Sequence, residues 1–280
     1  LADVTDGWVL TFDTGTNTWA GEAAGGSLSG LTQTSAGDGN TAIGNTALDS
    51  LTAASGLRNT ALGAAAGTAV TTGDDNVLIG YQAGKATVSG LQNIAVGSNA
   101  LVGNTGSANI GVGYYALFSN TSGGGNTAVG TEALESVVTT NNSTAVGYNA
   151  LILNTAAANT AIGAYSLDAN TSGVRNTALG YSSLSAIVTA NDSTAVGYNA
   201  LLLDTGGSNT AVGSGALDAN TTGVRNIGVG VNALGALTSA TDNIAIGNSA
   251  GDAIIASSEQ NILIGENSGT AITSGDGNIA

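Results

Sequence analysis

Residues 173–213 read GVRNTALGYSSLSAIVTANDSTAVGYNALLLDTGGSNTAVG. The pentads N-T-A-L-G, S-T-A-V-G and N-T-A-V-G start there at Asn176, Ser193 and Asn209. Followed outward, the same pentad starts at Asn40, Asn59, Asn76, Asn93, Asn109, Asn126, Ser143, Asn159, Asn226, Asn243 and Asn261, and another begins at Asn278. That makes fourteen complete units, spaced by 16 to 19 residues. A short fixed period is the mark of stacked repeats, each too small to bury a core alone. A longer period lies on top. Asn93, Ser143, Ser193 and Asn243 are 50 residues apart, so the units group in threes. This suggests duplication of a three-unit block, and the sequence supplies no physical need for it.

Each column of the repeat makes its own demand. The fifth position is always glycine: Gly44, Gly63, Gly80, Gly97, Gly113, Gly130, Gly147, Gly163, Gly180, Gly197, Gly213, Gly230, Gly247 and Gly265. A column without exception predicts a positive φ or close approach of another backbone. At Gly147 the expected cost of valine is about 1–3 kcal/mol of local strain. The fourth position is always Val, Ile or Leu, and the second is Thr, Val or Ile. β-Branched residues there predict an extended strand. Because side chains alternate, positions two and four share one face, and Asn, Ala and Gly share the other. The expectation is an aliphatic row that forms the core. The small-residue row, with Ala145 and Ala195 in it, would then meet another copy of the chain.

After each Gly come two variable residues, then Ala or Ser, then usually Leu. Four units carry Gly at the Leu position: Gly67, Gly84, Gly251 and Gly269. Val70, Ile254 and Ile272 follow three residues later, and Val88 one residue later still. This predicts a second short strand with two register variants, closed by turns such as Asn-Thr-Ser-Gly. Stacked one above another at about 4.8 Å, fourteen such coils make an all-β, parallel β-solenoid (a β-roll) of 16–19-residue coils, roughly 65–70 Å long. The Asn column would become a ladder of amides bonded along the stack. Glycine in every unit and dense β-branching exclude helices. The expected organisation is a β-hairpin connector over 1–20, with a turn at Thr14–Asn17 and an aromatic cluster of Trp8, Phe12 and Trp19, a Gly/Ser/Ala-rich lead-in over 21–39, and the array over 40–280.

Composition excludes several functions. The chain holds 42% hydrophobic residues, mostly aliphatic, which argues against disorder. It has four Lys and Arg against a net charge of −15, so phosphate backbones, and with them nucleic acid, are disfavoured. No run of about 18 apolar residues predicts membrane insertion. There is no His for acid–base work, and Glu132 and Glu135 read as turn residues rather than a catalytic pair. The expectation is no enzyme, no cofactor and no metal site, with weak Ca²⁺ binding by turn carboxylates left open. Arg58, Arg175 and Arg225 each precede an Asn and are expected to contact turn carboxylates. The Thr column breaks at Val77 and Ile94 and has no paired row, which excludes an ice-binding surface.

The pattern S-T-A-V-G-Y-N-A-L at 193–201 resembles the head repeats of trimeric autotransporter adhesins. More closely, the array over 40–280 resembles the repeat arrays of bacteriophage tail fibres, particularly those of marine cyanophages. The segment LADVTDGWVLTFDTGTNTW at 1–19 resembles a connector between tail-fibre modules. The start without Met and the stop inside a repeat fit a piece of a longer fibre. The resemblance implies a left-handed homotrimeric roll. It also implies a structural virion protein used in host attachment, partnered by other fibre or tail proteins. A bacterial surface adhesin and a glycan-degrading spike are the alternatives. Receptor contact, with a host surface glycan as one candidate partner, is expected from variable residues after each Gly: Tyr114, Tyr115, Tyr148, Asn149, Tyr198 and Asn199.

Overall fold

A computed structural model describes the backbone of 8–13, 18–23, 26–27 and 31–32, and residues 39–51, 55–256 and 258–280 in full. Contacts divide the chain into two units, Leu1–Asn126 and Thr127–Ala280. In the first, β1 (Trp8–Asp13) pairs antiparallel with β2 (Thr18–Ala23), Phe12 opposite Trp19, as expected of the N-terminal hairpin. Its turn and its aromatic side chains lie outside the described residues. Strand β3 (Gly26–Ser27) extends that pair, and β4 (Leu31–Thr32) runs antiparallel to β5 (Thr41–Ile43). From β5 the pairing is parallel through β6 (Thr60–Leu62), β7 (Val77–Ile79), β8 (Ile94–Val96) and β9 (Ile110–Val112).

The second unit continues the motif with β10 (Thr127–Val129), β11 (Thr144–Val146), β12 (Thr160–Ile162), β13 (Thr177–Leu179), β14 (Thr194–Val196), β15 (Thr210–Val212), β16 (Ile227–Val229), β17 (Ile244–Ile246) and β18 (Ile262–Ile264). Each pairs in parallel with the next, pentad against pentad: Thr144 opposite Thr160, Ala145 opposite Ala161. The protein is a parallel β-solenoid, one three-residue strand per pentad.

The expected second strand is absent from the described residues. Two tight turns stand in its place. Ala150 N–H donates to Gly147 O at 3.4 Å, and Asn154 N–H donates to Leu151 O at 3.1 Å. The Leu column sits in the left-handed region, with φ between 50° and 54° at its ten leucines, Leu151 at 53°. A non-glycine residue there is strained. Complete burial of the leucine offsets that strain. Gly67, Gly84, Gly251 and Gly269 hold the same conformation, so they mark no register variant. Thr87 is the buried residue three places after Gly84, and Val88 points out.

The faces of the strand are reversed from expectation. Ala145 and Ala195 are fully buried within one chain, as are Asn159, Ala150, Leu151 and Asn154. Positions two and four look outward: Ile162 is 39%, Leu179 44% and Val212 38% exposed. The reason is room. One coil encloses an Asn, two Ala and a Leu, and a β-branched side chain on the inner face would meet the leucine opposite. Leu78 and Leu263 occupy the inner strand position only where the facing column is glycine. A Cβ added to Gly67 or Gly84 would come within 2.6 Å of a Leu78 methyl, and one at Gly251 or Gly269 would lie 3.0 or 2.6 Å from a Leu263 methyl. The Ala row is therefore core and does not meet another copy.

The amide ladder forms as the sequence predicts. Asn76 Nδ2 donates to Asn59 Oδ1 at 2.9 Å and to Gly90 O at 2.8 Å. Asn76 Oδ1 accepts from Asn93 N–H at 2.9 Å. Each buried amide thus satisfies backbone groups that a three-residue strand leaves open.

A second inner column accounts for the three-unit block. In the second unit it runs Val137, Asn154, Asn170, Ile187, Asp204, Asn220 and Leu237, and ends the alternation with a second aliphatic residue, Ile254, all buried. The coil holding Asn154 belongs to a 16-residue spacing, and its turn from Asn154 to Asn159 is one residue shorter than that from Asn170 to Asn176. Asn154 closes the short turn by accepting from Ala156 N–H at 3.3 Å and donating to Ala156 O at 2.7 Å. The same oxygen accepts from Asn159 Nδ2 at 3.2 Å and from Asn170 Nδ2 of the next coil at 2.7 Å, and that next coil is polar too. The third coil then returns to an aliphatic residue.

Candidate functional site

The invariant glycines sit where strand meets turn. Gly147 has φ 141°, and a Cβ there would lie 2.5 Å from Gly163 O and 2.6 Å from Gly163 C. Both demands read from the column, positive φ and close backbone approach, act together. This corner brings the residue after each Gly to the surface, one above another.

In the second unit that placement produces a ladder of tyrosines. Ring centroids lie 5.3 Å apart for Tyr148–Tyr165, 5.8 Å for Tyr165–Tyr181 and 5.6 Å for Tyr181–Tyr198. The first two pairs meet edge to face and the last is stacked. Tyr148, Tyr181 and Tyr198 are each about half exposed, and Tyr165 is half-buried between its neighbours. Burial, then the nearness of Tyr148, pushes the Tyr165 hydroxyl above its ordinary pKa. Asn149 and Asn199 follow two of the rings in left-handed backbone, φ 55° and 54°.

Sequence reasoning singled out Tyr148 and Tyr198 but missed Tyr165 and Tyr181. Tyr181 directly follows Gly180 and could have been found by position. Tyr165 is the second residue after its Gly, so column reading skips it. In the first unit, Tyr114 and Tyr115 lie 4.3 Å apart, and Tyr115 packs on Phe118 at 4.5 Å. Tyr81, also exposed, stands two coils earlier.

Charged groups serve the stack. Arg175 Nε and Nη2 donate to the two carboxylate oxygens of Asp192, one coil on, at 2.6 and 2.8 Å. Arg225–Asp242 and Arg58–Asp75 repeat the pattern, as the spacing predicts. These hydrogen bonds hold the Asp carboxyls below their ordinary range. The pairs are exposed, so their contribution is small and screened by salt. Glu132 and Glu135 lie together on one turn, where partial burial and then the Glu132 charge push the Glu135 carboxyl up. Among the described residues no three His, Cys, Asp or Glu gather as a metal-binding group.

Asp204 is the one buried carboxylate among the inner columns of the described residues, standing where the 50-residue period places Asn154. It accepts from Gly206 N–H at 3.1 Å, Asn209 Nδ2 at 3.0 Å, Asn220 Nδ2 at 2.8 Å and Ser193 Oγ at 3.1 Å. Desolvation outweighs these bonds and pushes its carboxyl up. A folded-state pKa above the unfolded value means a contribution to stability that is full below about pH 4 and lost as pH rises through the raised value. Asp204→Asn is expected to raise the melting midpoint at pH 7 and to flatten its fall above pH 4. A melting curve at pH 7 unchanged from the parent would contradict this.

No family model matches the chain, and neither the curated proteins nor the solved structures contain a match.

Proposed function

We propose that the chain is a section of a virion attachment fibre, a stiff spacer that assembles as a homotrimer. The observation that supports it is the outward face of the sheet. In the second unit alone, Val129, Ile162, Leu179, Val212, Ile227, Ile246 and Ile262 project from one side, each more than a third exposed. Nine parallel strands at about 4.8 Å make this strip roughly 40 Å long. An ordered apolar strip of that length needs a cover. A second and third copy supply one of matching period and length, with the strips meeting around a common axis. The repeat resemblance supports the same reading and adds the virion setting. Near-identical coils favour a mechanical role over a catalytic one, since chemistry is repeated nowhere in the columns.

Sedimentation equilibrium is the test. The unaltered protein is expected near 80 kDa, three times the chain mass of 26.8 kDa. Ile162→Asp with Val212→Asp, both outward, is expected to yield folded monomers. Ala145→Gln is expected to unfold its coil instead, because it overfills the core. A stable monomer of the unaltered protein overturns the proposal.

A further inference from the structure

We infer that Tyr181 and Tyr198 form an oxidative cross-linking site, at which a one-electron oxidant of the peroxidase–hydrogen peroxide class joins two adjacent coils through a dityrosine bond. The inference goes beyond the attachment reading and does not rest on it.

Three observations carry it. First, the chain leaves an oxidant little else to attack. It has no Cys, no Met and no His, and both Trp residues, Trp8 and Trp19, belong to the first unit. Sulfur, the common target of oxidation in proteins, is absent altogether. In the second unit the phenols of Tyr148, Tyr165, Tyr181 and Tyr198 are the most readily oxidised side chains that remain. Second, one pair of these rings lies face to face. The planes of Tyr181 and Tyr198 are 12° apart, with centroids at 5.6 Å. Tyr148–Tyr165 and Tyr165–Tyr181 are inclined by 78° and 75°, so each sets the edge of one ring on the face of the next. A tyrosyl radical carries its unpaired electron on the phenolic oxygen and on the ring carbons beside it. Stacked rings bring such carbons of both partners together, and an edge on a face does not. Third, both rings are about half exposed, within reach of an oxidant. Their backbones are held in register, because each follows the invariant Gly after β13 or β14, and those strands pair residue for residue.

In the reaction each phenol loses one electron and one proton. The two radicals join through one ortho carbon of each ring. The hydrogen on each joined carbon then leaves as a proton and a proton returns to each phenolic oxygen, which restores both rings. The two electrons and two protons lost overall reduce one hydrogen peroxide to two waters. The bond ties residues 17 apart in sequence, one coil to the next. It gives a chain without sulfur the kind of covalent constraint that a disulfide supplies elsewhere.

The test treats the full, unaltered chain with peroxidase and hydrogen peroxide. The product is expected to keep the single-chain mass on a denaturing gel and to gain the blue fluorescence of dityrosine. Cleavage before aspartates separates the partners, since peptide 168–191 holds Tyr181 and peptide 192–203 holds Tyr198. Mass spectrometry is expected to find these two joined, less two hydrogens. Tyr181→Phe is expected to lose most of the emission, and Tyr148→Phe, an equally conservative change, to keep most of it. The same treatment in urea, where the coils come apart, is expected to lose the preference for this pair. Absence of the link overturns the inference. So does a link found only between chains or only at other tyrosines, an unchanged yield in Tyr181→Phe, loss of the link in Tyr148→Phe, or an equal yield of the Tyr181–Tyr198 link in urea.

Discussion

Gly147→Ala is expected to cost more than about 3 kcal/mol, beyond the upper end of strain from backbone conformation alone. The added methyl would sit 2.5 Å from the Gly163 carbonyl oxygen, and that oxygen belongs to backbone that cannot turn aside. To make space, the coil of Gly147 must separate from the next. That movement breaks the parallel ladder, including the 2.8 Å bond from Gly163 N–H to Val146 O. Urea unfolding of Gly147→Ala against the parent measures the cost, and a loss of only about 1–3 kcal/mol, as expected of conformation alone, would mean that close approach is not what fixes the column.

The second large effect is expected at Leu78. Leu78→Ala should lose about 3–5 kcal/mol, since its side chain fills the space left by two glycines in adjacent coils. The informative variant combines it with Gly84→Leu. Gly84 has φ 57°, close to the 52° of Leu101 in the same column, so the backbone already suits a leucine. Alone, Gly84→Leu should destabilise by about 1–3 kcal/mol through collision with Leu78. Combined with Leu78→Ala it should recover a large part of the loss, because the coil then carries the common Ala–Leu arrangement. A double-mutant cycle measures this coupling. Additive losses would show that the exchange of large for small between the columns is coincidental.

That exchange was the signal by which the orientation of the strand could have been read. The period, the invariant glycines, the Asn ladder and the Arg–Asp pairs were all legible, because each depends on residues a fixed distance apart. The inward face was not. Ranking Val and Ile above Ala for burial is sound for a thick core and fails for a coil whose interior admits one leucine. Yet in both units where Leu replaces Ala in the strand, at Leu78 and Leu263, the flanking Leu column turns to Gly. Two large residues never face each other, so those columns must share one interior. The tyrosine ladder was half legible for a related reason. Column reading finds Tyr148 and Tyr198, but Tyr165 reaches the same surface from a neighbouring position because the left-handed turn swings it there.

The alternation of two polar coils with one aliphatic coil sets a rule for how such a molecule can change its length during evolution. Removing one coil between Asn154 and Asn220 would set a buried amide or carboxylate against the wrong neighbour and strand its hydrogen bonds. Removing or inserting three keeps every partner. The viable increment is a block of about 14 Å, three strand spacings. Recombination between blocks, the ready consequence of near-identical gene segments, then changes reach in fixed steps while leaving each surface pattern intact. The number of coils becomes a heritable trait that moves in whole units.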